Sequence, residues 1–532
     1  MAITAATLPM AGVATAAYVE AGQIGDKASW ESEEYSKDWG ITAMKASSAY
    51  ALGYSGQGVK IGVMDSGALL FIHPDLNGDR FHAVEATGTY GSSGLRYPQS
   101  AVGAQGEYTE GEAFDITGQW VAGVNDGHGT HVTGTVGANR DGEGMHGVAW
   151  GADIYVGNTG GTDGNNYGPF QDYQFFYTGW KALVDSGAEV INNSWGTNIR
   201  IVDNGSTGSD GGNTGVHIPA NNMTQSEYEY FYFNQVYGSN PSFVDAAYDA
   251  VKGTTVVQIF TTGNRDFANP FYRALYPYYH PEAEQHWIAV AGLQRVAGTT
   301  DEYSLSYTWN EAGEAKWWTV AAPGNGIYST TVNATTGAAG WGNSSGTSMS
   351  APHVAGAMGV LLSRYQDMNA IQVRDVMFTT ASHQNPDGST LAGWTAADGV
   401  PDVRYGWGCR ILIKACMGLA SSLARLNTTW PIRRWMSGAT ASARRRWMRV
   451  SKKISPGCRI IKIRGLRPVG TMNWVTASSS LTATAIRRIT LSARQMRKNG
   501  GKNITWRARL LFRPRLTPIF IPVPWSSLVR VR

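Results

Sequence analysis

The sequence predicts an α/β fold, a mostly parallel twisted sheet flanked by helices on both faces. Three observations predict it. Short apolar runs bounded by glycine recur between residues 59 and 291. Each reads as a strand buried on both faces rather than as a two-sided alternating strand. Segments of helical character alternate with these runs, and strand–helix–strand repetition favours parallel pairing.

Taken in order, residues 41–52 (ITAMKASSAYAL) suit one helix, and Gly53, Gly56 and Gly58 make the turn after it. Val59–Met64 (VKIGVM) is the first buried strand. Residues 130–138 suit a helix that starts just after His128. Ala188–Asn192 and Thr254–Phe260 are further strands, with a helix at Phe243–Lys252 before the second. Trp287–Ala291 is another short strand, and Ser348–Arg364 is a long helix of small residues. The Gly/Asn/Ser/Thr-rich stretches 157–168 and 202–222 read as surface loops. In open parallel sheets, sites form at the carboxyl ends of the strands.

Charge divides the chain. All 40 Asp and Glu precede residue 409, against 17 Lys and Arg there, a net −23. Residues 409–532 carry 27 Lys and Arg and no carboxylate. Cys409, Cys416 and Cys458 are the three cysteines, so the acidic part needs no redox assumption. The organisation expected is an N-terminal segment at 1–27, a catalytic domain at 28–408 and a basic tail at 409–532. The tail has three readings: an out-of-frame translation, a basic arm for nucleic acid or anionic lipid, or an unusual folded appendage. The first is preferred, with the tail non-native or disordered. Residues 1–17 are uncharged and end in Ala14-Thr15-Ala16-Ala17, which reads as the remnant of a signal peptide.

Three segments carry chemistry. In VKIGVMDSG, Asp65 stands where a strand ends. In DGHGTHVTG, His128 opens a helix between glycines. In SGTSMSAPHVAG, Ser348 begins a helix. A serine hydroxyl is a weak nucleophile, so it needs a histidine to take its proton, and the histidine needs a carboxylate to orient it. Singly, each residue reads as a cap or turn former. Together, in the order Asp, His, Ser and each at an element boundary, they point to a catalytic triad.

These segments resemble the three catalytic motifs of the subtilase (subtilisin-like) serine protease family, over about Trp39 to Gly408. Tyr405-Gly406-Trp407-Gly408 is similar to the motif that closes its peptidase domain. The resemblance implies a serine endopeptidase with Asp65, His128 and Ser348 as triad and His131 as a structural histidine. A catalytically silent surface or adhesion protein that keeps the scaffold is the alternative. Thr262-Gly263-Asn264 resembles the oxyanion segment, with Asn264 donating beside the Ser348 amide. Ser194, Trp195 and Gly196 resemble the strand that pairs with extended substrate, with Trp195 walling the pocket for the residue before the cleaved bond. An exposed Met349 would oxidise and crowd the site, predicting peroxide sensitivity.

The aromatic-rich insertion between Trp195 and Thr254, the segment YPYYHPEAEQHWIAVAG and the run AKWWTVAAPG resemble bacterial autotransporter subtilases, which implies a secreted or cell-surface protein. It also implies protein or peptide substrates, a monomer, and no nucleic-acid partner. The outer membrane enters only through a C-terminal barrel, for which 409–532 show no run of alternating strands. No cofactor is required, and no metal ligands are expected. Structural calcium is common in the family, and no residues here are assigned to it.

Overall fold

The computed structural model describes residues 22–95, 107–160, 172–196, 201–202, 216–217, 241–409 and 412, with three strands in the tail. Asp38 opens α1 (Trp39–Met44), its carboxylate accepting from the Gly40 amide at 2.7 Å. The single helix expected over 41–52 is two short ones. Lys45 adopts a left-handed φ of 59° and ends α1, and a second turn follows at Ser47–Tyr50. A left-handed residue cannot continue a right-handed helix.

The strands of the main sheet are β1 (Lys60–Asp65), β2 (Phe81–Ala83), β3 (Asp153–Asn158) and β4 (Val190–Asn193). They continue as β5 (Val257–Thr261), β6 (Trp287–Arg295), β7 (Tyr303–Leu305) and β8 (Thr319–Pro323). Their order is β7-β6-β5-β4-β1-β3-β2, with β8 also paired to β6. Every pairing is parallel except that of β7 with β6. The sheet is therefore mostly parallel, as the sequence predicts, and β6 runs four residues past its expected end. A ribbon of β9 (Ile327–Val332) and β10 (Ala339–Ser344) follows.

The helices that matter are α2 (His128–Gly137), α3 (Tyr173–Asp185), α4 (Phe243–Val251), α5 (Tyr272–Tyr279), α6 (Thr347–Arg364) and α7 (Ala370–Thr380). Alternation along β1 assigns the faces. Gly359 of α6 lies against Ile61, and Gly179 of α3 lies against Met64. Both faces are thus covered, which is why β1 is apolar from Ile61 to Met64. α2 and α6 are neighbours, with Gly356 of α6 against the Val136 carbonyl. Asp38 and His353 join α1 to α6 through a buried contact of 2.8 Å.

Gly157 and Asn158 of the first expected loop belong to β3, and residues 161–168 and most of 202–222 lie outside the described residues. The Tyr405–Gly408 motif closes the domain. Trp407 Nε1 donates to the Trp317 carbonyl at 2.9 Å, and the Ala321 amide donates to the Gly408 carbonyl at 2.9 Å. Cys409 continues this packing, its amide donating to Ser382 at 2.9 Å with the side chain buried.

The chain divides into two units, one of residues 1–395 and 402–416, the other of 396–401 and 417–532. In the second, Thr490–Ala493, Trp506–Leu511 and Ile519–Val523 pair antiparallel in chain order. Residues 1–21 and, apart from Cys409, Leu412 and these three strands, the tail lie outside the described residues.

Candidate active site

Asp65 is the last residue of β1, on the face covered by α2 and α6, and is wholly buried. Its Oδ1 accepts from the Ser66 amide at 2.8 Å and from His128 Nδ1 at 2.7 Å. With Nδ1 donating to a carboxylate, the neutral ring presents Nε2 as its basic atom. Two neighbours fix the start of α2. Asp126 Oδ1 accepts from the His128 amide at 3.0 Å and from Ser66 Oγ at 2.8 Å, and Ser66 Oγ accepts from the Gly129 amide at 2.9 Å. A Cβ at Gly129 would lie 2.2 Å from the Gly67 carbonyl oxygen, so glycine lets α2 close on the end of β1.

Ser348 stands in the first turn of α6. It exchanges two hydrogen bonds with Ser194, just past the end of β4. Ser348 Oγ donates to the Ser194 carbonyl at 2.8 Å, and Ser194 Oγ donates to the Ser348 carbonyl at 2.8 Å. Asn192 Nδ2 supports the clamp with a bond to Ser194 Oγ at 2.9 Å.

Asn264 is exposed just beyond β5, and its Oδ1 accepts from Thr347 N at 2.9 Å and from Thr347 Oγ1 at 2.8 Å. This turns Nδ2 the other way. A Cβ built on Gly346 would lie 3.1 Å from Asn264 Nδ2 and 3.7 Å from the Ser348 amide nitrogen. Two donors therefore flank one small space that glycine leaves open. Asn310, buried and missed by sequence reasoning, sets the loop. Its Oδ1 accepts from Arg265 N at 2.9 Å and Phe267 N at 3.3 Å, and its Nδ2 donates to the Thr262 carbonyl at 3.1 Å. No local motif marks Asn310, since its partners lie more than forty residues upstream.

Two sequence expectations need correction. The Trp195 ring is 2% exposed and donates from Nε1 to the Met64 carbonyl at 2.8 Å. It stacks with Phe176 and Trp180 and lies 5.5 Å from the tilted ring of Phe243, so the side chain is core. Met349 is 1% exposed, so the exposure its oxidation required is absent.

His131 is buried and donates from Nε2 to the Ile327 carbonyl at 3.0 Å. Burial, helped by nearby His128, holds it down at about 4, so it is a neutral strut. Among the described residues, no group of three or more His, Cys, Asp or Glu side chains is arranged to hold a metal ion.

A family model described as the subtilase family (peptidase S8) matches residues 56–408. The chain belongs to the subtilase family. This subtilase is 31% identical over 408 residues to an extracellular serine protease of Serratia marcescens, covering 71% of this chain and 35% of that protein. It is 27% identical over 412 residues to the Neisserial autotransporter lipoprotein NalP of Neisseria meningitidis serogroup B, covering 70% and 34%. Subtilisin DY of Bacillus licheniformis is 26% identical over 345 residues, covering 65% and 91%. The chain spans about a third of the length of the first two relatives.

Proposed function

We propose that this subtilase is a serine endopeptidase in which Asp65, His128 and Ser348 form the triad and Asn264 and the Ser348 amide form the oxyanion site. The contact between His128 Nδ1 and the buried Asp65 carboxylate, 2.7 Å, carries the reading. It holds the ring in the tautomer a general base needs.

In the resting arrangement the Ser348 hydroxyl donates to Ser194. Attack requires it to turn to Nε2 of His128, which takes the proton as Oγ bonds to the scissile carbon. The oxygen of the tetrahedral intermediate enters the space beside Gly346 and receives bonds from Asn264 Nδ2 and the Ser348 amide. His128 then protonates the departing amine, and water repeats the sequence on the acyl-enzyme. Ser194, Trp195 and Gly196 supply backbone for an extended peptide.

The named relatives support secretion or display at a bacterial surface, where protein and peptide substrates are met. The working unit is a monomer that needs no cofactor and takes no nucleic acid. Casein hydrolysis by the wild type, lost in Ser348→Ala with the fold retained by circular dichroism, tests the assignment. Equal hydrolysis by both proteins rejects it, and a folded wild type without hydrolysis supports the silent-scaffold alternative.

A further inference from the structure

Ser345 and Gly346 lead into α6, and the turn between β8 and β9 holds both of them. The Gly346 amide donates to the Gly324 carbonyl at 2.9 Å, and the Gly326 amide donates to Ser345 Oγ at 2.8 Å. The fit is close: a Cβ built on Gly324 would lie 2.6 Å from the Gly346 carbonyl oxygen. The position of this turn therefore decides where Gly346 stands.

Two consecutive residues at the start of α1 reach this turn and α6. Trp39 Nε1 donates to the carbonyl of Asn325, the middle residue of the turn, at 2.9 Å. The Trp39 ring is buried, with Arg295 over it at 4.8 Å and the Tyr303 ring 5.4 Å away, so the indole is fixed. Asp38 takes the other part. Its Oδ2 meets Nε2 of His353, whose Nδ1 donates to the carbonyl of Met349, the residue after Ser348. A Cβ on Gly40 would lie 2.1 Å from His353 Nε2, so glycine at 40 lets α1 come this close.

We propose that Asp38 and Trp39 are positioning residues for the oxyanion site, and that docking of α1 sets where Gly346 and the Ser348 amide stand relative to Asn264 Nδ2. The inference rests on the endopeptidase reading above. Neither side chain touches substrate. Asp38 acts through His353 on the first turn of α6, and Trp39 acts through the 324–326 turn on Gly346. Donors aimed at a charge that develops only in the transition state act on turnover rather than on substrate binding. A misplacement of about 1 Å in such a site costs about 10²-fold.

The test uses the full chain and one peptide anilide that the wild type cleaves. Trp39→Phe removes the indole N–H and keeps an aromatic ring. Its kcat should fall by about 10- to 10²-fold, with KM within about threefold of wild type. Asp38→Ala should fall likewise. Asp38→Asn should retain most of the turnover, since its amide can donate to His353 Nε2 while its oxygen still accepts from the Gly40 amide. A loss of general stability does not make this split between kcat and KM at a temperature where circular dichroism shows each variant folded. In an Asn264→Ala background the Trp39→Phe loss should be at least about threefold smaller, because the site it aims is already incomplete. If Asp38→Ala fails to fold, Trp39→Phe carries the test. A folded Trp39→Phe with wild-type kcat, or a loss that persists in full without Asn264, overturns the inference and leaves the endopeptidase reading standing. A folded wild type that hydrolyses neither casein nor any of a set of peptide anilides overturns both.

Discussion

Asp38 and His353 lie 315 residues apart in the chain and 2.8 Å apart in space, both without solvent exposure. His353 Nδ1 also bonds the Met349 carbonyl at 2.7 Å, one residue beyond Ser348. The pair therefore pins the N-terminal helix α1 to the first turns of the helix that carries the nucleophile. Breaking such a buried pair by removing one partner leaves an uncompensated polar group, at a cost of about 3–5 kcal/mol. Asp38→Ala is expected to destabilise by about that amount in urea unfolding. A double-mutant cycle with His353→Phe should return a coupling energy well above about 1 kcal/mol, the scale of an exposed pair. A coupling near zero contradicts the link.

The space beside Gly346 is small enough that one methyl group fills it. Gly346→Ala should lower kcat by about 10²–10³, as loss of an oxyanion donor does, with much less change in KM. Asn264→Ala should fall in the same range. Steady-state kinetics on one peptide substrate read both, and a Gly346→Ala enzyme with ordinary turnover removes the oxyanion assignment.

Two sets of buried groups act on stability in opposite directions as pH changes. Burial pushes Glu34 and Asp75 up to about 7. Their contribution is fully present below the ordinary carboxylate range and is lost as pH rises through about 7. Burial holds His131 and His146 down at about 4, so their contribution is present above the usual histidine range and is lost as pH falls through about 4. Asp75 Oδ2 accepts from Trp341 Nε1 at 2.6 Å, a bond an asparagine can keep. Asp75→Asn should therefore gain stability relative to wild type as pH rises from about 4 to 8, by about 1–3 kcal/mol in all. Parallel melting curves over that range check it, and a constant difference rejects it.

Buried Met349 changes the expectation for peroxide. Met368 is partly exposed in the turn after α6, whereas Met349 is enclosed behind Ser348. Peptide mapping after brief peroxide treatment should find Met368 oxidised before Met349, with activity falling only as Met349 sulfoxide accumulates. Early loss of activity with Met349 intact assigns the sensitivity elsewhere.

The parallel sheet was legible because β1, β4, β5 and β6 are buried on both faces, and each carries a short apolar run rather than a two-sided alternation. Asp65, His128, Ser348 and Asn264 were legible as the proposed site because each sits where a strand or helix changes, within a motif of several residues. The break at Lys45 was not, because left-handed conformation in a non-glycine residue leaves no local mark. Asn310 and the Asp38–His353 pair were missed because their partners are distant in the chain. Trp195 was misread for a related reason. Alternation past a strand end does not tell which way a large ring turns, and three aromatic side chains from α3 and α4 drew it into the core.

That aromatic stack has an optical consequence. The rings of Trp180 and Trp195 lie 5.8 Å apart at an interplanar angle of 13°, and Trp195 is tethered to the residue before Asp65. Two indoles so disposed share their excited states. The molecule thus carries its own chromophore pair in the core beneath the end of β1, and its ultraviolet dichroism reports whether α3 stays packed on that strand.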